Sequence, residues 1–186
     1  MPISTLDSHT ALIVIDLQKG LVANPMLISP IDGIIASATT LAAGFRARGL
    51  PVVLASIDGG PAGRNDYARP ARPQPDDFTD LVPELDEQPG DVRVIRTTWG
   101  AFIGTDLDAT LKAMDVTQVV IAGIMASFGV ESTARQALDY GYNVVVVTDA
   151  TTDMSPDALT NSVTRVFPAL GETGTTSDVL ALLDAR

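Results

Sequence analysis

The chain has 186 residues, 46% of them apolar and 19% charged, a balance that suits one domain of about 100 to 200 residues spanning 1–186 and excludes a disordered or fibrous chain. Twenty-three acidic residues against twelve basic ones give a net charge of −11, which repels both a nucleic-acid backbone and an anionic membrane. With no cysteine and one histidine, His9, disulfides, thiolate nucleophiles and multi-histidine metal sites are ruled out, so neither metal nor cofactor is expected.

The start, MPISTLDSHT, lacks a basic stretch followed by an apolar one, and no apolar run reaches the roughly 18 residues of a membrane-spanning helix. A cytoplasmic protein is expected. Thr10 to Ile15 is a β-branched apolar run closed by Asp16, the mark of a strand buried on both faces. Ser29-Pro30-Ile31-Asp32 reads as a helix start, with serine as the cap, and Gly49 as the stop. Val52 to Ile57 is a second strand. Residues 59–91 then run irregularly, with a short helical turn expected between Phe78 and Leu85.

Val92 to Arg96 is a third strand, Thr105 caps a helix bearing Leu107, Leu111 and Met114, and Gln118 to Ile124 is a fourth strand. Gly129 opens a helix carrying Val130, Ala134, Ala137 and Leu138 on one side, and Asn143 to Thr148 is a fifth strand. Ser155-Pro156-Asp157 starts a helix that runs through Val166 and stops near Pro168. Glu172 to Thr175 is a short sixth strand, before a last helix capped at Thr176 or Ser177. Strands alternating with helices imply a doubly wound α/β fold, a parallel sheet covered on both faces.

In such a sheet, ligands bind beyond the carboxyl ends of the strands. Those ends carry Asp16-Leu17-Gln18, Arg96-Thr97-Thr98-Trp99 and the stretch from Ile124 to Gly129. Asp16, closing an apolar run, is either a desolvated acid or base or a simple loop cap. Arg96 is a surface arginine, a partner for Asp86 or Asp91, or part of that cleft. Ser127 is a poor nucleophile by sequence, because nothing nearby supplies a base.

Four segments together, ALIVIDLQ (11–18), RTTWGAFIGTDL (96–107), VVIAGIMASFGVESTARQA (119–137) and YNVVVVTDA (142–150), resemble the isochorismatase-like hydrolases. The resemblance covers nearly the whole chain and implies a three-layer, six-stranded parallel sheet in the order 3-2-1-4-5-6. Most members carry an aspartate, lysine and cysteine triad. Here Asp16 matches the aspartate, while Arg96 and Gly129 stand where the lysine and the cysteine are expected. Nicotinamidase-like members also place metal-binding histidines after strand two, where this chain has Asp58-Gly59-Gly60.

The isochorismatases proper likewise have glycine at the cysteine position and cleave a vinyl ether with the aspartate as proton donor. The resemblance therefore implies a hydrolase of a small, anionic substrate. Asp16, Arg96 and Gly129 form its catalytic positions, and Gln18, Leu21, Trp99, Met125 and Phe128 line its substrate pocket. Arg96 is expected to clamp a substrate carboxylate, and if it pairs with Asp16 instead, it lowers that acid's pKa. The bare Gly129 is expected to leave open the space a cysteine would fill. The competing reading is a catalytically silent binding protein on the same fold. The resemblance further implies a cis peptide between Ile124 and Met125, and a homo-oligomer in which residues 59–91 could cover a neighbour's cleft.

Overall fold

In the computed structural model, which describes residues 2–66 and 73–185, the apolar runs form one parallel sheet. Its strands are β1 (Thr10–Ile15), β2 (Val52–Ile57), β3 (Val92–Arg96), β4 (Gln118–Gly123), β5 (Asn143–Thr151) and β6 (Glu172–Gly174). Their order is β3-β2-β1-β4-β5-β6. Every residue of β1, β2 and β4 is buried, so these strands are apolar on both faces, as a sheet sandwiched between helices requires. Ile13 lies between Val53 and Ile121, and strand order reverses between β1 and β4.

Alternate residues of β1 enter opposite layers. Leu12 and Val14 pack with Leu41 and Phe45 of α2 (Ile31–Arg46) and with Val179 and Leu183 of α7 (Thr176–Asp184). Ile13 and Ile15 pack with Leu111 of α3 (Leu107–Ala113) and with Ala134 and Ala137 of α4 (Glu131–Asp139). Three short helices complete the set: α1 (Lys19–Val22), α5 (Pro156–Asn161) and α6 (Phe167–Leu170).

Several helix boundaries depart from the sequence expectation, each for a local reason. Pro30 itself occupies the cap position of α2 and Ser29 makes no cap bond. Thr105 is one residue too early: Asp106 is the cap of α3, although the Thr105 hydroxyl still accepts from the Leu107 amide at 3.3 Å. At α7 the cap is Thr175, whose hydroxyl accepts from the Asp178 amide at 3.2 Å while the Asp178 carboxylate accepts from the Thr175 amide at 2.8 Å. That reciprocal pair is a capping box. Pro168 does not end the preceding helical run: it is the second residue of α6, which continues directly from a π-helical turn at Ser162–Val166. The turn expected between Phe78 and Leu85 is a 3₁₀ turn at Pro83–Leu85. Residues 67–72 of the long excursion lie outside the described residues.

Gly129 does not open α4. A π-helical turn, Ala126–Val130, precedes that helix, with the Val130 N–H reaching back to the Met125 carbonyl at 3.2 Å. Turns of this kind carry one residue more than an α-helix would and recur at functional sites. Gly123, at φ +116°, allows the turn to start against β1: a Cβ there would lie 2.0 Å from the Ile15 carbonyl oxygen.

Candidate active site

Asp16, the first residue past β1, has φ +56°, a left-handed conformation that aspartate tolerates better than most residues. Its amide bonds the Ala55 carbonyl at 2.9 Å, which ties it to the end of β2. Arg96 ends β3, and its carbonyl accepts from the Asp58 amide at 2.7 Å. Both side chains turn inward and form a two-point ion pair, Nη1 to Oδ1 at 2.6 Å and Nη2 to Oδ2 at 2.9 Å. The Arg96 side chain is wholly buried and that of Asp16 is 6% exposed. Arg96 also donates from Nε and Nη2 to the Trp99 carbonyl, at 3.2 and 2.9 Å.

Burial pushes the Asp16 carboxyl above the ordinary aspartate range, and the Arg96 guanidinium opposes that shift without cancelling it. The pairing with Arg96 acts in the expected direction, lowering the acid's pKa, but burial is the larger effect and the net shift is upward. One correction concerns Arg96 itself. The fork expected to clamp a substrate carboxylate is occupied by the protein's own Asp16.

Gly129 meets both groups. A Cβ on it would lie 3.1 Å from Asp16 Oδ2 and 3.2 Å from Arg96 Nη2, but only 2.8 Å from Ile15 Cγ2. The three positions singled out from sequence thus converge, as the strand-end argument requires. The space at 129 is narrower than expected, however: a first side-chain carbon there would crowd an isoleucine methyl and abut the ion pair.

The pocket residues expected from sequence divide. Trp99 is 42% exposed and stands edge-on to Phe128, ring centroids 4.9 Å apart. Met125 is 8% exposed, its amide hydrogen-bonds to none of the described residues, and the Ile124–Met125 peptide is cis. Leu21, in α1, is half-buried and packs on the α2-side core. Gln18 has a different task. It is fully buried, accepts from the Ile57 amide at 2.8 Å, and donates to the carbonyls of Ile57 and Phe78 at 3.0 and 2.9 Å. With its amide committed to backbone, Gln18 latches residues 73–82 to the end of β2 rather than meeting a ligand.

Sequence reasoning missed Asp153. Only 1% exposed, it accepts from the amide and hydroxyl of Ser127 at 2.8 and 2.7 Å, and from the amides of Met154 and Ser155 at 2.7 and 3.3 Å. It therefore supplies the partner that Ser127 lacked in sequence. The only signal was an acid two residues before the Ser155-Pro156 helix start.

Comparison with known proteins agrees with this architecture. The isochorismatase domain matches residues 10–178. The uncharacterized isochorismatase family protein YwoC of Bacillus subtilis (strain 168) is 35% identical over 181 residues, covering 92% of each chain. A ureidoacrylate amidohydrolase, RutB of Variovorax paradoxus (strain S110), is 31% identical over 208 residues, covering 95% of this chain and 82% of that one. Among solved structures, an isochorismatase family protein from Burkholderia thailandensis superposes with a TM-score of 0.86 at 41% identity, covering 97% of this chain and 98% of the other. With its sheet order, its strand-end site and a match over most of its length, the chain belongs to the isochorismatase family of hydrolases.

Proposed function

We propose that the protein is a hydrolase without a covalent intermediate, in which Asp16 performs acid–base chemistry on a small vinyl ether or related substrate. The observation that carries this reading is the meeting of Asp16, Arg96 and position 129 in a buried cluster where desolvation raises the acid's pKa. A carboxyl that holds its proton to higher pH is a better general acid near neutrality. Asp16 Oδ2, on the longer of the two contacts and facing position 129, is the atom to carry the proton. In the reaction, Oδ2 protonates the methylene carbon of the enol ether, water adds to the resulting oxocarbenium ion, and the hemiketal breaks to an alcohol and a keto product. The proton released on water addition returns to the Asp16 carboxylate. Arg96 holds that carboxylate in place throughout and is a positioning residue.

A silent binding protein is the second reading, favoured by the commitment of Arg96 to Asp16 and to the Trp99 carbonyl. The two separate in a turnover screen of isochorismate, other vinyl ethers and small amides, the amides included because a ureidoacrylate amidohydrolase is among the relatives. The hydrolase reading expects turnover of a vinyl ether that Asp16→Asn abolishes while the folded state persists. Turnover by Asp16→Asn at the parent rate would remove Asp16 from the chemistry, and binding without turnover by the parent would favour the silent protein.

A further inference from the structure

A cavity of about 760 Å³ opens between the segment after α1 and the turn joining β5 to α5, within the size range of small-molecule sites. Its walls include Asn24, Met26, Ser127, Phe128, Met154 and Ala158. None of Asp16, Arg96 and Gly129 lines it; the link with that cluster is Phe128, whose ring also meets Trp99.

The polar groups of this cavity point to one chemistry. Asp153 contributes a carboxylate to the wall, and no basic side chain does so among the described residues. The carboxylate holds the Ser127 hydroxyl proton at 2.7 Å, so Ser127 Oγ is left with lone pairs alone and is polarised by the charge behind it. The Asn24 carbonyl oxygen is engaged by the Met26 amide at 3.0 Å, and its NH₂ lies 3.1 Å from Met154 Sδ. Ser155 also lines the cavity, its hydroxyl oxygen engaged by the Ala158 amide at 3.3 Å, and the remaining surface is an aromatic ring, a methyl and two thioethers, which are soft and adapt to planar apolar groups. An aromatic face near a buried carboxylate favours a cation.

We propose that this cavity is a ligand site distinct from the Asp16 cluster, taking a small organic ammonium ion with an apolar body. The ammonium hydrogen bonds Ser127 Oγ, which relays it to the Asp153 carboxylate, and the body packs between Phe128, Met26 and Met154. An anion of the same shape is excluded by Asp153.

Benzylamine, benzyl alcohol and benzoate share one ring and differ in charge, so they are the probes. Binding is read by ligand-observed NMR and by the fluorescence of Trp99, the single tryptophan. Benzylamine is expected to bind at least tenfold more tightly than benzoate, with benzyl alcohol between them. Ala158→Phe, which fills the cavity, is expected to abolish benzylamine binding, and Ser127→Ala to weaken it at least fivefold. Asp16→Asn is expected to leave it unchanged, a result that does not depend on any turnover. Circular dichroism and thermal unfolding confirm that each variant is folded. Absence of benzylamine binding, equal binding of benzoate, or an unaltered affinity in Ala158→Phe would overturn the proposal. Loss of binding in Asp16→Asn would place the amine at the Asp16 cluster and overturn it equally.

Discussion

Removal of one partner from a buried ion pair strands the other, and the loss is commonly about 3–5 kcal/mol. Arg96→Ala is therefore expected to destabilise the protein by roughly that amount, while Arg96→Lys keeps a charge but gives up the two-point contact and loses less; urea unfolding measures both. A loss below 1 kcal/mol for Arg96→Ala would mean that the pair does not hold the site together. At position 129 the prediction turns on a single methyl. A Cβ placed 2.8 Å from Ile15 Cγ2 forces a fully buried core residue to move, so Gly129→Ala is expected to cost about 1–3 kcal/mol, and an alanine variant as stable as the parent would refute the crowding. These residues show what was legible in the sequence. Asp16, Arg96 and Gly129 stand out because strand ends converge in any parallel sheet, and an apolar run marks its own end. That Arg96 pairs with Asp16 rather than a substrate depends on side-chain direction across two strands, which no local pattern encodes. Asp153 was hidden for the same reason, since its partner Ser127 is 26 residues away.

Gln18 joins elements rather than touching chemistry. Its amide satisfies the Ile57 N–H and C=O and the Phe78 carbonyl, and beside it the Lys19 ammonium reaches Asp77 and Asp80 at 3.3 and 3.1 Å. The exposed lysine pairs contribute little, whereas each buried backbone group left unpaired costs roughly 1–3 kcal/mol. Gln18→Leu is thus expected to release residues 73–82 and speed their cleavage in limited proteolysis, while Lys19→Ala leaves cleavage close to the parent rate. The opposite order would assign the latch to the surface charges. The strands were readable because continuous apolar runs have one use in a doubly covered sheet. The helix ends were less so, because a cap is decided by which hydroxyl or carboxylate reaches a free amide, as Thr175 and Asp178 do and Ser29 does not.

Across the whole molecule, acidic residues outnumber basic ones by 23 to 12, so the dependence of stability on pH is governed by carboxylates, and two of them act with opposite sign. Asp178 sits at the start of α7, where hydrogen bonds from the Thr175 hydroxyl and amide hold its carboxyl below the usual range. Between its folded and unfolded pKa values the unfolded chain binds more protons, so its stabilisation is present above the unfolded pKa and fades as pH falls through the folded one. Asp16 is the reverse case: burial raises its folded pKa, the folded chain binds more protons in the window between the two values, and stability declines as pH rises through that window. Urea unfolding of the parent, Asp178→Asn and Asp16→Asn across the acid range separates the two contributions by slope, so a uniform loss of stability in either variant does not confuse the comparison. Asp178→Asn is expected to flatten the loss of stability at the acid end. Asp16→Asn is expected to make stability climb more steeply with pH above the ordinary aspartate range, because the opposing contribution has been removed. An Asp16→Asn curve parallel to that of the parent would show that the carboxyl titrates alike in both states, and the acid role assigned to Asp16 would lose its physical basis.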